Sequence, residues 1–185
     1  MYKVPILITL FNRPHHTEKL ITYLNDINPE KIYIFIDGPR KNNGQDIINC
    51  KKVFEMTKKI NSNITILEKK SDINLGCKEA VSRALKWFFS EEKWGIILED
   101  DCLPNKDFFK FCFWGLAKFE NQNHIGGITG NNFLNGKIFL KDSFYYSKYA
   151  HCWGWATWKR VWEKYDKNIS FWNEYKNSED WINFF

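Results

Sequence analysis

The chain has 185 residues, 44% hydrophobic and 26% charged, with an aromatic share of 18% from nine Trp, eight Tyr and sixteen Phe; this suits one soluble domain with a substantial core. The net charge of +5 is spread over Lys-rich stretches such as Lys51-Lys52 and Lys69-Lys70, a solvated surface with a mild preference for anionic substrates or membrane faces and not a nucleic-acid footprint. Five cysteines (Cys50, Cys77, Cys102, Cys112, Cys152) without CxxC spacing exclude a disulfide framework and a zinc site, leaving a reducing, cytoplasmic setting with no disulfide partner.

Val4 to Leu10 is a buried-strand pattern that runs into the loop Phe11-Asn12-Arg13-Pro14, whose proline suits the first turn of a helix over His15 to Leu24. Lys31 to Ile36 is a second strand ending in Asp37-Gly38-Pro39, followed by an amphipathic helix over Asp46 to Ile60. Asn63 to Leu67 is expected as a third strand, Asn74-Leu75-Gly76 as a turn, and Lys78 to Phe89 as a third helix. Gly95 to Leu98 has the apolar continuity of a strand buried on both faces. Such regular alternation predicts an α/β fold with a mostly parallel, doubly wound sheet. The chain opens on a strand and not on a signal-peptide layout, and no apolar run is long enough to span a bilayer.

The fourth strand ends in three consecutive carboxylates, Glu99, Asp100 and Asp101. Their mutual repulsion calls for a cation or a hydrogen-bond network. Mg²⁺ or Mn²⁺, shared with a substrate's phosphates, is one solution; a solvated acidic turn before the next helix is the other. Asn12-Arg13, Asp37-Gly38, Asn74-Leu75-Gly76 and the acids all follow strands, so all lie on one carboxyl edge, where open α/β sheets bind ligands. There Arg13 could meet a diphosphate or a base, Asp37 could accept from a base N–H, and Asp101 could hold a metal. Each also has a plain structural reading: Arg13 as a loop cap, Asp37 as an Asx turn. No GxxxxGK[ST], GxGxxG or GxSxG occurs, which removes P-loop, dinucleotide and serine-hydrolase chemistry. His15, His16, His124 and His151 lack metal spacing.

Further on, Ile125 to Thr129 reads as a strand, Lys137 to Tyr149 as a strand or hairpin, and Trp155 to Tyr165 as an amphipathic helix with Trp158 and Trp162 in the core. Trp153-Gly154-Trp155 precedes that helix on a loop, where an exposed indole would suit a sugar ring and a packed one would be structural.

The run LEDDCLPNKDFFKF, after FNRP and DGP at earlier strand ends, resembles the GT-A glycosyltransferases, specifically those related to the Golgi N-acetylglucosaminyltransferase that begins complex N-glycan branching. HCWGWATWKRVWEKYD is similar to the Trp-rich segment of bacterial family 2-like relatives in surface-polysaccharide assembly. The resemblance implies a single three-layer, Rossmann-like GT-A domain over residues 1–185. It implies an inverting, metal-dependent transfer of sugar from a nucleoside diphosphate sugar, a UDP-sugar foremost, to a saccharide or lipid-linked acceptor, the latter with a peripheral place at the inner membrane face. Phe11, Asn12, Arg13 and Asn74 match nucleotide-contacting positions, Asp37 with Gly38 the residues that meet uracil, and Asp101 the Mn²⁺ or Mg²⁺ ligand of a DXD-type motif. Glu99 and Asp100 match positions that contact sugar or metal-bound water, Asp107-Phe108-Phe109 a packing helix, and Trp153, Gly154 and Trp155 the acceptor side. Relatives carry the catalytic base in an acidic Trp-Asp element past the Trp-rich segment. Asp180 is the candidate within these residues, Asp166 a more distant one; the pattern over Asp180 to Phe185 breaks off in mid-helix, so the domain is expected to extend past Phe185, and a base there is the alternative to Asp180. Two other classes stay open: a glycan- or nucleotide-binding module without catalysis, and a sugar nucleotidyltransferase, for which a Gly-rich loop would be expected where Phe11-Asn12-Arg13-Pro14 has no glycine.

Overall fold

A computed structural model of the chain describes residues 3–133 and 142–182, apart from the side chains of Asp180 and Ile182. The order is β1 (Ile6–Leu10), α1 (Pro14–Ile27), β2 (Lys31–Ile36), α2 (Gly44–Thr57), β3 (Thr65–Lys70), α3 (Cys77–Glu91), β4 (Trp94–Glu99), α4 (Lys106–Lys118), β5 (Ile128–Thr129), β6 (Trp155–Trp158), α5 (Lys159–Trp162), α6 (Trp172–Tyr175) and α7 (Glu179–Ile182). The six strands form one sheet in the order β3-β2-β1-β4-β6-β5. β1 to β4 are parallel, and β6 runs antiparallel to both β4 and β5.

Strand alternation sorts the core into two layers. Ile6, Ile8, Ile32, Ile34, Ile96 and Leu98 face one way, against Leu20 and Leu24 of α1, Val53 of α2 and Phe109 of α4. Leu7, Tyr33, Phe35 and Ile97 face the other way, against Ala80, Ala84, Phe88 and Phe89 of α3. Helices thus cover both faces, the three-layer Rossmann-like arrangement expected. β1, fully enclosed, reads as an unbroken apolar run; β3, at the sheet edge, is mostly exposed and ends in Glu68-Lys69-Lys70. Those charges explain why the strand lies later than Asn63 to Leu67: at an edge only one side of the backbone must pair, and charged side chains block further strand addition.

The segment expected as one helix over Trp155 to Tyr165 is instead a strand followed by a single helical turn. Trp155-Ala156-Thr157-Trp158 follows a period of two, with Ala156 and Trp158 in one core layer and Trp155 packed on the α3 layer. In β6, Trp158 stands opposite Trp94 of β4, is buried, donates its Nε1–H to the Leu116 carbonyl at 3.0 Å, and lies 4.4 Å beneath the Arg160 guanidinium. Trp162 stacks on Phe89 on the other side of the sheet, so the two indoles do not share a helix face. Residues 137–141, the start of the expected strand or hairpin over Lys137 to Tyr149, lie outside the described part; 142–149 contain no strand. The five cysteines are free thiols, and among the described residues no helix is long and apolar enough to cross a membrane.

Trp158→Ala should remove about 3–5 kcal/mol of stability through the lost ring and the emptied space between β4 and α4, measured as a lower urea midpoint at an unchanged slope.

Candidate functional site

From β1 the chain crosses through α1 to β2 on one side; from β4 it leaves through α4 toward β6 and β5 on the other. Adjacent parallel strands whose connections diverge open a crevice at their carboxyl ends, and β1 and β4 are that pair. The loops at its lips are Phe11-Asn12-Arg13 and Glu99-Asp100-Asp101. Pro14 opens α1 and Thr17 Oγ1 donates to the Arg13 carbonyl at 3.0 Å, which fixes the Arg13 backbone and aims its side chain across the crevice. There Nη1 donates to Asp100 Oδ1 at 2.9 Å and to Asp101 Oδ2 at 2.7 Å.

The acids therefore neither form a solvated turn nor face one another unrelieved. Asp100 is buried, and that burial pushes its carboxyl up while the Arg13 charge draws it down. Glu99 is likewise raised, first by burial and then by the Asp101 and Asp100 charges. Asp101 is half exposed. Among the described residues no group of three or more His, Cys, Asp or Glu is arranged to hold an ion. Mg²⁺ and Mn²⁺ beside a nucleotide use only one or two carboxylates, with phosphate oxygens and waters completing the shell. Asp100 and Asp101 both pair with Arg13 Nη1, but Asp100 is buried and Asp101 is half exposed, so Asp101 is the one of that pair open to such an ion, with Glu99 next to it. The residues fit an ion held jointly with phosphates and not a preformed cage.

Asp37 requires correction. It is buried at the end of β2, its Oδ1 accepts from the backbone N–H of Gly38 and Leu75, both at 2.9 Å, and its Oδ2 accepts from Asn74 Nδ2 at 2.9 Å and Gly76 N–H at 3.2 Å. All four lone-pair positions of Asp37 are taken, so its carboxylate, with Asn74 Nδ2 donating to it and to the Gly38 carbonyl, clamps the β2 loop to the β3–α3 loop. Gly38 belongs to the same clamp: a Cβ there would lie 2.6 Å from the Ile73 backbone.

Asn12 is engaged too, donating to Asp46 Oδ1 at 2.7 Å. Asp46 also receives Arg40 Nε at 2.6 Å and Nη2 at 3.0 Å, contacts that hold its carboxyl well below the usual range, and the Arg40 guanidinium lies 5.7 Å from the Phe11 ring centroid. Sequence reading missed Arg40 and Asp46. Their signal was faint: a cation just after Asp37-Gly38-Pro39 and an acid in the first turn of the next helix, capped by Asn43.

Beside Asp101 lies a cavity of about 450 Å³, lined by Asp101, Asn105, Phe108, Gly130, Asn131 and Trp153 among others. Trp153 is 67% exposed and forms an aromatic wall with Phe133, 5.7 Å away, which in turn sits 4.5 Å from His151. Asn131 Nδ2 donates to Thr129 Oγ1 at 2.9 Å and to the Trp153 carbonyl at 3.0 Å. Gly154, at φ +75°, allows the chain to turn from that exposed ring into β6. Trp155, expected on the acceptor side, packs instead on the α3 layer. Phe108 and Phe109 fill the core, as implied for the helix behind the acids. Asp166 caps its own turn: its carboxylate accepts from the N–H of Asn168 and Ser170 and from the Ser170 hydroxyl. The backbone of Asp180 lies in α7, but its side chain falls outside the described part.

No family model matches the chain, and no curated protein matches it. Among solved structures it is similar to the crystal structure of a 4-diphosphocytidyl-2C-methyl-D-erythritolsynthase from Anaerococcus prevotii DSM 20548, with 11% identity and a TM-score of 0.49 over 98% of this chain and 84% of that one. At that level function rests on the site alone.

Two outcomes follow from the geometry. Asp37→Ala orphans the buried donors of the clamp and should cost on the order of 1–3 kcal/mol of stability, with hydrogen exchange rising at residues 74–76. Glu99→Gln should do the reverse at neutral pH. Because the folded state raises the Glu99 pKa above its ordinary value of 4.5, ionised Glu99 weakens the fold above that range and the penalty vanishes below it; the variant should melt higher at pH 7 and equal to the parent near pH 3.

Proposed function

We propose that the chain binds a nucleoside diphosphate sugar in the β1/β4 crevice and transfers the sugar to an acceptor hydroxyl of a saccharide or lipid-linked glycan. The observation that carries this reading is the meeting of Arg13 with Asp100 and Asp101 at the switch point, with an open cavity beginning at Asp101. A guanidinium beside an acid able to share a divalent ion is a diphosphate-binding chemistry. Asp101, with Glu99, would hold Mn²⁺ or Mg²⁺, which would supply neutralisation of the charge that develops on the departing diphosphate.

Arg13 takes the phosphates. The flat face of Phe11, bordered by Arg40, is the surface next to it for a base; with Asp37 saturated, the contact that would select uracil is gone, and UDP-sugar remains the first donor to test by resemblance only. The sugar lies in the cavity against Trp153, since an exposed indole packs on the apolar face of a pyranose. Both amide hydrogens of Asn131 are in use, leaving its Oδ1 to accept from a sugar hydroxyl. A transfer to a hydroxyl also needs a base, the role assigned to Asp180.

A second reading, nucleotidyl transfer onto a sugar phosphate, is favoured by one feature: among the described residues the only carboxylate lining the cavity is Asp101, and a phosphate nucleophile needs no base to deprotonate it. Product analysis separates the two. Release of UDP from a UDP-sugar with an acceptor supports glycosyl transfer; release of pyrophosphate from a nucleoside triphosphate and a sugar phosphate supports the other, and binding without turnover leaves a binding module.

Asp101→Asn should lower the affinity for UDP in Mn²⁺ by roughly tenfold or more, consistent with loss of a charged ligand contact, measured by calorimetry. An affinity that is the same with Mn²⁺ and with chelator in the parent chain would remove the metal from the account.

A further inference from the structure

Arg13 occupies the place where two other partners are needed. Its Nη1 bridges Asp100 and Asp101, whereas its Nε and Nη2 make no hydrogen bond among the described residues, and half of its side chain is exposed. A guanidinium carries five N–H donors in a fork that matches phosphate, so most of this one is uncommitted. The backbone that carries it is held by the start of α1 and by Thr17, so the side chain can swing while the loop stays. A divalent ion on Asp101 would compete with Nη1 for the same carboxylate and would be repelled by the guanidinium charge a few ångströms away. A diphosphate offers that displaced guanidinium a second anion.

We infer that Arg13 is an exchangeable counter-ion: it holds Asp100 and Asp101 closed in the empty chain, and a divalent ion and a nucleoside diphosphate arriving together move it from Asp101 onto the phosphates. The ion and the nucleotide then bind as a coupled pair, each raising the affinity of the other, since such coupling is reciprocal. The ion alone binds weakly because it must evict a cation that has nowhere else to go. This rests on the reading of the crevice as a diphosphate site.

The test is a pair of titrations on the parent chain, Arg13→Gln and Arg13→Lys: Mn²⁺ alone, and UDP in saturating Mn²⁺. Arg13→Gln should bind Mn²⁺ alone roughly two- to fivefold tighter than the parent yet bind UDP roughly tenfold weaker, opposite changes that a general loss of structure does not give. Arg13→Lys, which keeps the charge, should stay near the parent for Mn²⁺. A second measurement needs no variant: in the parent chain the Arg13 side-chain ¹⁵N–H signals should move when Mg²⁺ and UDP are added together. UDP binding by the parent with no gain of Mn²⁺ affinity in Arg13→Gln, or unmoved Arg13 signals in the ternary mixture, overturns the exchange and leaves the functional reading standing. No binding of UDP or any other nucleoside diphosphate by the parent overturns the functional reading, and the exchange with it.

Discussion

Three adjacent carboxylates at the end of a buried strand are the constraint around which this chain is arranged. Placing Glu99, Asp100 and Asp101 at the carboxyl end of β4 concentrates negative charge where solvent screens it least, and Asp100 is buried outright. The repulsion is relieved from the neighbouring strand: β1 lies parallel to β4, and the loop after it delivers Arg13 across the gap. That delivery depends on Pro14 opening α1 and on the α1 core residues Leu20 and Leu24 seating the helix on the sheet. An ion pair that is half exposed contributes little to stability, and here its consequence is positional, keeping a cation and three acids facing one crevice.

Much of this was legible in the chain, for a physical reason. Strands buried on both faces must be apolar throughout, so Val4 to Leu10, Lys31 to Ile36 and Gly95 to Leu98 stand out without any tertiary knowledge, and a parallel sheet puts the residue after each strand on one edge. The convergence of Asn12-Arg13, Asp37-Gly38, Asn74 and the acids follows from that alone. β6 reads as helix in the sequence because Trp155 to Trp162 satisfies a helical spacing as well as an alternating one; what decides between them is the unpaired side of β4, which only the folded sheet reveals. β3 runs later than its apolar residues indicate because an edge strand is free to continue into charged ones.

Within the site, residue type was legible and pairing was not. Asp37, Asn12 and Arg13 are each capable of holding a ligand, yet all three also bind the protein's own groups: Asp37 accepts from residues 38 and 74–76, Asn12 gives one amide N–H to Asp46, and Arg13 gives Nη1 to Asp100 and Asp101. The same four-donor saturation that makes Asp37 an anchor removes it as a reader of the base. Arg40 and Asp46 came to light only as partners, since a cation in a polar loop and an acid in a first helical turn are ordinary features of any sequence. Trp153 went the other way. It stays exposed on the cavity beside Asp101, after which a glycine-enabled turn sends Trp155 onto the α3 layer.

The central claim, that a nucleoside diphosphate is held between the ends of β1 and β4, is tested most directly by a crystal structure of the chain with UDP and Mn²⁺. The account places the diphosphate at the switch point, within hydrogen-bonding distance of the Arg13 guanidinium and sharing the ion with Asp101. A diphosphate bound elsewhere, with Arg13 still paired to Asp100 and Asp101, would contradict it.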